Sequence, residues 1–136
     1  AGELVTTTGE VIGEHAGIHN FTVGQRKGLG VATGSPLYVL QIKGDSREVI
    51  VGNEQELYSS TLIVRRTNLI SISELVAPLR VSAKIRHRHE PAAAVIEKAA
   101  DDQILVTFDQ PQRAITPGQA SVFYQGDIVV GGGWIV

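Results

Sequence analysis

The chain has 136 residues, 43% of them hydrophobic, with 12 Lys/Arg against 14 Asp/Glu and a net charge of −2. That supplies a core for one ordinary domain or two small ones, and the slightly acidic balance excludes a protein that coats nucleic acid by bulk charge. Cysteine and methionine are absent, which removes disulfides, thiolate metal sites and cysteine nucleophiles, and leads us to expect a piece of a longer or processed protein.

In chain order, ELVTTTGEVIGEH predicts a hairpin about Thr8-Gly9, because β-branched residues flank a turn pair. In HAGIHNFTVGQRKGLG, glycines at 13, 17, 24, 28 and 30 break any period, so an ordered loop is expected around one brief strand at 21–23. PLYVLQIKGDSREVIVG then predicts strands at 37–42 and 48–51 joined by a GDS turn. Next, Leu57, Leu62 and Val64 suggest an extended arm, and 73–76 a single helical turn closed by Pro78. We place a domain boundary there, giving domains 1–77 and 78–136. Beyond it, strands are expected at 79–88, 93–99, 103–108, 120–124 and 128–136, and their close spacing suggests a small closed barrel. The fold class is therefore mainly β: a small β-rich domain with a Gly-rich loop, then a β-barrel. No apolar run approaches the roughly 18 residues of a membrane helix, and the opening residues lack the pattern of a secretory leader. A cytoplasmic protein without a membrane partner is expected.

Several stretches carry possible chemistry. GQRKGLG has the look of a phosphate cradle, but its lysine precedes the glycine and no Ser/Thr follows, so a Walker loop fails. The dinucleotide fingerprint fails as well, since Thr33 stands where glycine or alanine is needed. Gln25, Arg26 and Lys27 remain open between a solvated turn and a loop contacting an RNA backbone. His15 and His19 have zinc-ligand spacing, yet Gly17 disfavours the helix and no third ligand is evident; His87 and His89 lack a carboxylate partner, so no metal is expected.

RVSAKIRHRH is more informative. Both halves of the chain, 1–70 and 71–136, hold six Lys/Arg against seven Asp/Glu, so neither is a basic tail. In a strand, however, Val81, Ala83 and Ile85 would face inward and Arg80, Ser82, Lys84, Arg86 and Arg88 outward. Such a row of cations either protects an edge strand from aggregation or meets a polyanion, with His87 available to stack on an unpaired base. ITPGQ predicts a type II turn, with Pro117 and Gly118 at its centre and Gln119 opening a strand. The three glycines of GDIVVGGGWIV permit a bulge and close backbone approach, which we read as barrel architecture. No catalytic set is present.

The series GEHAGIHNFTVGQRKGLG, PLYVL, VIVG, KIRHRH and VTFDQPQRAITPGQASVFYQGDIVVGGG strongly resembles the C-terminal part of the bacterial tRNA-specific 2-thiouridylases, over nearly the whole chain and in order. The resemblance implies a central domain followed by a β-barrel like the second domain of translation elongation factors. It implies an absent N-terminal domain that binds ATP, carries two catalytic cysteines, adenylates the wobble uridine and exchanges its 2-oxygen for sulfur. This chain would then hold no catalytic residue and no cofactor, would be inactive alone, and would grip the anticodon region of tRNA while the whole enzyme also meets a sulfur-donor protein. The family's KxRYR contacts fall on Arg86 and His87, where histidine replaces the usual tyrosine, and its TPGQ contact on Gln119. Lys84 and Arg88 join them as neighbouring cations, and Gln25, Arg26 and Lys27 on chemistry alone. The competing expectation is a β-barrel protein-interaction module without RNA binding.

Overall fold

The computed structural model describes residues 2–26, 36–86 and 90–136, which form two units, Ala1–Tyr58 and Ser59–Val136. The first unit is a four-stranded sheet. Strands β1 (Gly2–Thr6) and β2 (Val11–His15) make the expected hairpin. Its turn is closed by the Thr6 amide donating to the Glu10 carbonyl at 2.8 Å, and by Gly9 in the left-handed region at φ 92°. Strands β3 (Tyr38–Lys43) and β4 (Glu48–Gly52) form the second hairpin, and β4 pairs in parallel with β1, giving the order β2-β1-β4-β3. Alternation along these strands sends Leu4, Val39, Val49 and Val51 into one core, capped by Ile12, Ile18 and Phe21.

Two local expectations in this part of the chain are corrected. Residues 21–23 are not a strand: Phe21 packs onto the sheet core, its ring edge-on to His15 at 5.2 Å, and the backbone turns at once, with the Gln25 amide bonded to the Thr22 carbonyl. Packing of one large ring outweighs the strand propensity of its neighbours. A helical turn forms not at 73–76 but at Glu54–Leu57, a 3-10 turn with a complete capping box between Asn53 and Glu56. The segment 73–76 stays irregular because Leu75 is drawn into the core of the second unit.

The second unit is a closed barrel of six strands: β5 (Tyr58–Leu69), β6 (Leu79–Lys84), β7 (Ala92–Lys98), β8 (Gln103–Arg113), β9 (Ala120–Gln125) and β10 (Ile128–Ile135), in the order β10-β5-β8-β7-β6-β9. The division therefore falls after Tyr58 and not at Ala77. The stretch read as an arm is β5, and it belongs to the barrel because it lies between β10 and β8 and puts Leu62 and Val64 in the core. Inward residues from all six strands, among them Val64, Ile96, Val106, Phe123 and Val130, fill the interior, all of them essentially inaccessible to solvent.

Closure depends on β10. A Cβ at Gly131 would overlap the Asn68 carbonyl oxygen of β5, and one at Gly132 the Ser121 carbonyl oxygen of β9, so glycine lets both neighbouring backbones approach. The pairing register of β10 slips once against each neighbour, as the glycine run predicted. On the β5 side two residues, Arg66 and Thr67, stand against the single β10 residue between Gly132 and Trp134, with Arg66 held at φ 52°. The bulge is tied down by Asp102, also in the left-handed region, whose Oδ1 accepts from the Thr67 amide at 2.8 Å and from the Thr67 hydroxyl at 3.0 Å. Those two hydrogen bonds, the amide first, hold the Asp102 carboxyl below its usual pKa.

Gly132→Ala is expected to lower stability by about 1–3 kcal/mol, the usual cost of forcing atoms into filled space, and an unchanged urea midpoint would show that the strands are not held this close. A group whose folded pKa is depressed contributes stability above its unfolded pKa and loses it as pH falls through the folded value. Asp102→Ala should accordingly be less stable than the parent at neutral pH, with the gap in urea midpoint closing below about pH 3.9, the ordinary aspartate value.

Candidate nucleic-acid interface

Strand β6 shows the predicted alternation. Val81, Ala83 and Ile85 are 4%, 1% and 8% exposed, while Arg80, Ser82, Lys84 and Arg86 face away from the core. The regular strand stops at Lys84, and Arg86 stands in the bend beyond it. His87 and Arg88, like Lys27, lie outside the described residues. The edge-strand reading of the cationic row is overturned: β6 is paired to β7 along one side and to β9 along the other, so it has no open edge to protect.

The outward cations are not equivalent. Arg80 is bound through two hydrogen bonds to the Asp109 carboxylate of β8, at 2.6 and 2.7 Å, which neutralises it. Arg86 instead donates from Nη2 to the carbonyl oxygens of Arg113 and Ala114. The chain there is turned by Ala114 at φ 53°, and the Thr116 hydroxyl donates to the same Ala114 carbonyl at 2.9 Å. Carbonyls fix the guanidinium without cancelling its charge, and three of its five N–H donors, on Nε and Nη1, are not used in these bonds.

Residues 116–119 form the predicted type II turn, with the Gln119 amide bonded to the Thr116 carbonyl and Gly118 at φ 88°. Two further backbone bonds pin it to β10: Gly118 to the Ile135 carbonyl at 2.8 Å, and Ile135 to the Gln119 carbonyl at 2.9 Å. The Gln119 side chain is left exposed at the start of β9. Lys84, Arg86 and Gln119 consequently line one depression of about 260 Å³, with Ala120, Val122 and Tyr124 as its other walls and no acidic residue among them. Tyr124 was not singled out from sequence, although β9 alternation places 120, 122 and 124 on one side; what it lacked was the knowledge that β9 lies beside β6.

Gln25 and Arg26 belong to the first unit. The Gln25 side chain accepts from the Thr22 amide at 3.0 Å, and its carbonyl accepts from the Val39 amide at 2.9 Å, so this residue shapes its own turn; Arg26 is exposed. His15 is buried with Nε2 2.7 Å from the Arg47 carbonyl oxygen. Among the described residues no three His, Cys, Asp or Glu side chains are grouped to hold a metal.

Residues 59–135 match the family described as aminomethyltransferase beta-barrel domain, and residues 1–53 that described as tRNA methyl transferase PRC-barrel domain. The two matches part where the structure does. The chain is 67% identical over 135 residues to the tRNA-specific 2-thiouridylase MnmA of Koribacter versatilis, covering 99% of this chain and 36% of that protein. It is 59% identical over 140 residues to the protein of that name from Acidobacterium capsulatum, covering 100% and 37%, and 52% identical over 134 residues to that from Acetivibrio thermocellus, covering 98% and 37%. It thus spans little more than a third of the length of these curated relatives. With both units matched and identity sustained from end to end, the chain belongs to the family of the tRNA-specific 2-thiouridylases.

Proposed function

We propose that this chain is the tRNA-gripping part of a 2-thiouridylase, and that the depression lined by Lys84, Arg86 and Gln119 is where the barrel meets the RNA. The observation that carries the reading is the convergence of a fixed but uncancelled guanidinium, a lysine and a carboxamide in one acid-free hollow. Cations engage the phosphates and set the register, while a carboxamide can both donate to and accept from the edge of an unpaired base. His87 and Arg88 follow Arg86 directly in the chain and join the site in this reading. Arg26 and Lys27 would add backbone contacts from the Gly-rich loop.

In the whole enzyme the barrel would hold the anticodon region so that the wobble uridine is presented to the catalytic domain, in the cytoplasm where tRNA is modified. The Gly-rich loop is not a Walker-type triphosphate cradle, because it lacks the Gly-Lys-Ser/Thr order. Adenylation and sulfur transfer, with any sulfur-donor protein, therefore belong to the remainder of the enzyme. A barrel that only docks proteins is the weaker reading, since β6 has no free edge for its cations to guard.

In filter-binding titrations with tRNA, Lys84→Gln and Arg86→Ala should each weaken binding across sequences and reduce the slope of log K against log salt by about 1. Lys84→Gln leaves every observed hydrogen bond intact, so its failure to change either quantity counts directly against the site. Incubated with ATP, a sulfide source and tRNA, the 136-residue chain should yield no 2-thiouridine; detection of the product by mass spectrometry would place the chemistry within it.

A further inference from the structure

We infer that the barrel carries a second RNA contact, a stacking site in which the indole of Trp134 receives one unstacked base and Arg65 and Arg66 hold the adjoining phosphate. The inference rests on the tRNA-binding reading above and extends it to the other side of β9.

Trp134 is the only tryptophan of the chain and is 49% exposed, although its neighbour Ile135 is 3% exposed and core-facing. It borders two depressions. One, of about 270 Å³, runs over the backbone of Gly131, Gly132 and Gly133, where the absence of side chains leaves a low floor beside the indole. The other, of about 340 Å³, is bounded by Arg65, Arg66 and the Pro117-Gly118 turn. Neither is lined by an acidic residue. An exposed ring next to a side-chain-free floor suits a flat heterocycle, and every base offers a face to it.

The two arginines owe their position to the β5 bulge. On an unbroken strand successive side chains alternate, so one of the pair would be directed inward. Here Gly132 is opposite Asn68 and Trp134 opposite Arg65, and the additional β5 residue between them leaves Arg65 and Arg66 exposed in succession. Re-aiming of a side chain is what a bulge accomplishes, and this one holds a non-glycine residue at positive φ, at Arg66. The carboxylate acting on Arg66 is Asp102, which accepts from Thr67 through Oδ1 and lines neither depression.

Continuity with the first site favours RNA over a separate partner. Ala120 and Val122 line both the Trp134 depression and the Lys84 depression. In the ladder, Lys84 is opposite Val122 and Val122 opposite Gly132, so the two sites are two strand spacings apart, about 10 Å. Cations flank an aromatic and a glycine floor on both sides, which is the arrangement that tracks a single-stranded backbone while stacking its bases.

The test uses the intact 136-residue chain, whose fluorescence at tryptophan excitation reports Trp134 alone. Adding tRNA should quench that emission in step with the bound fraction measured by filter binding. Trp134→Ala should weaken tRNA binding about tenfold, Trp134→Phe much less, and Arg66→Gln should lower affinity and the salt slope together, with thermal melts checking that each variant is folded. Equal quenching by heparin, a polyanion without bases, would overturn stacking. If Lys84→Gln loses affinity while Trp134→Ala binds as the parent does and tRNA leaves the emission unchanged, this inference falls and the first site stands. If tRNA binds none of the proteins, both readings fall together.

Discussion

In this six-stranded barrel β10 approaches both of its neighbours more nearly than side chains would allow. Its glycines remove the atoms that would collide with the Asn68 and Ser121 carbonyls. Everything placed on the outer surface around β9 follows from that closure. Without it β5 would not lie beside β10, the Arg65–Arg66 pair would not border Trp134, and the 116–119 turn would lose the two backbone bonds that fix Gln119. The conformational entropy that glycine costs on folding, roughly 0.5–1 kcal/mol each relative to alanine, is repaid by a ladder with no open edge.

The distribution of counter-groups decides which cations remain available. Arg80 meets both oxygens of the Asp109 carboxylate through Nη1, and although an exposed pair of this kind contributes little to stability, it removes Arg80 as a free positive charge. Arg86 is held by two carbonyl oxygens, which orient it and leave its full charge in place. A guanidinium already oriented loses less entropy on meeting a phosphate than one free in solvent, so its partial hydrogen bonding supports binding. Lys84 is half-buried against the same hollow and has the flexible stem to adapt to a ligand that Arg86 positions.

In the first unit the loop around Gln25 is organised from within. The Thr22 amide and the Val39 amide bond to Gln25, and His15 packs edge-on to Phe21, while Thr22 and Arg26 face solvent. Up to Arg26 the described residues form a turn, and composition alone does not distinguish a turn from a ligand-contacting loop.

What could be read from the sequence was local. Alternation along β6, the hairpins at Gly9 and GDS, the type II turn at Pro117-Gly118 and the close approach at Gly131–Gly133 each arise from a few consecutive residues, and the backbone's period of two or a demand for positive φ makes them legible. The Asn53–Glu56 capping box is equally local, set by residues three apart. Relations between distant residues could not be read: that β5 joins the barrel, that β6 has no edge, that Asp109, 29 positions on, neutralises Arg80, and that an extra residue in β5 brings two arginines beside Trp134. Those depend on which strands become neighbours, and strand pairing is settled by burying all the apolar faces at once, a condition no short segment contains.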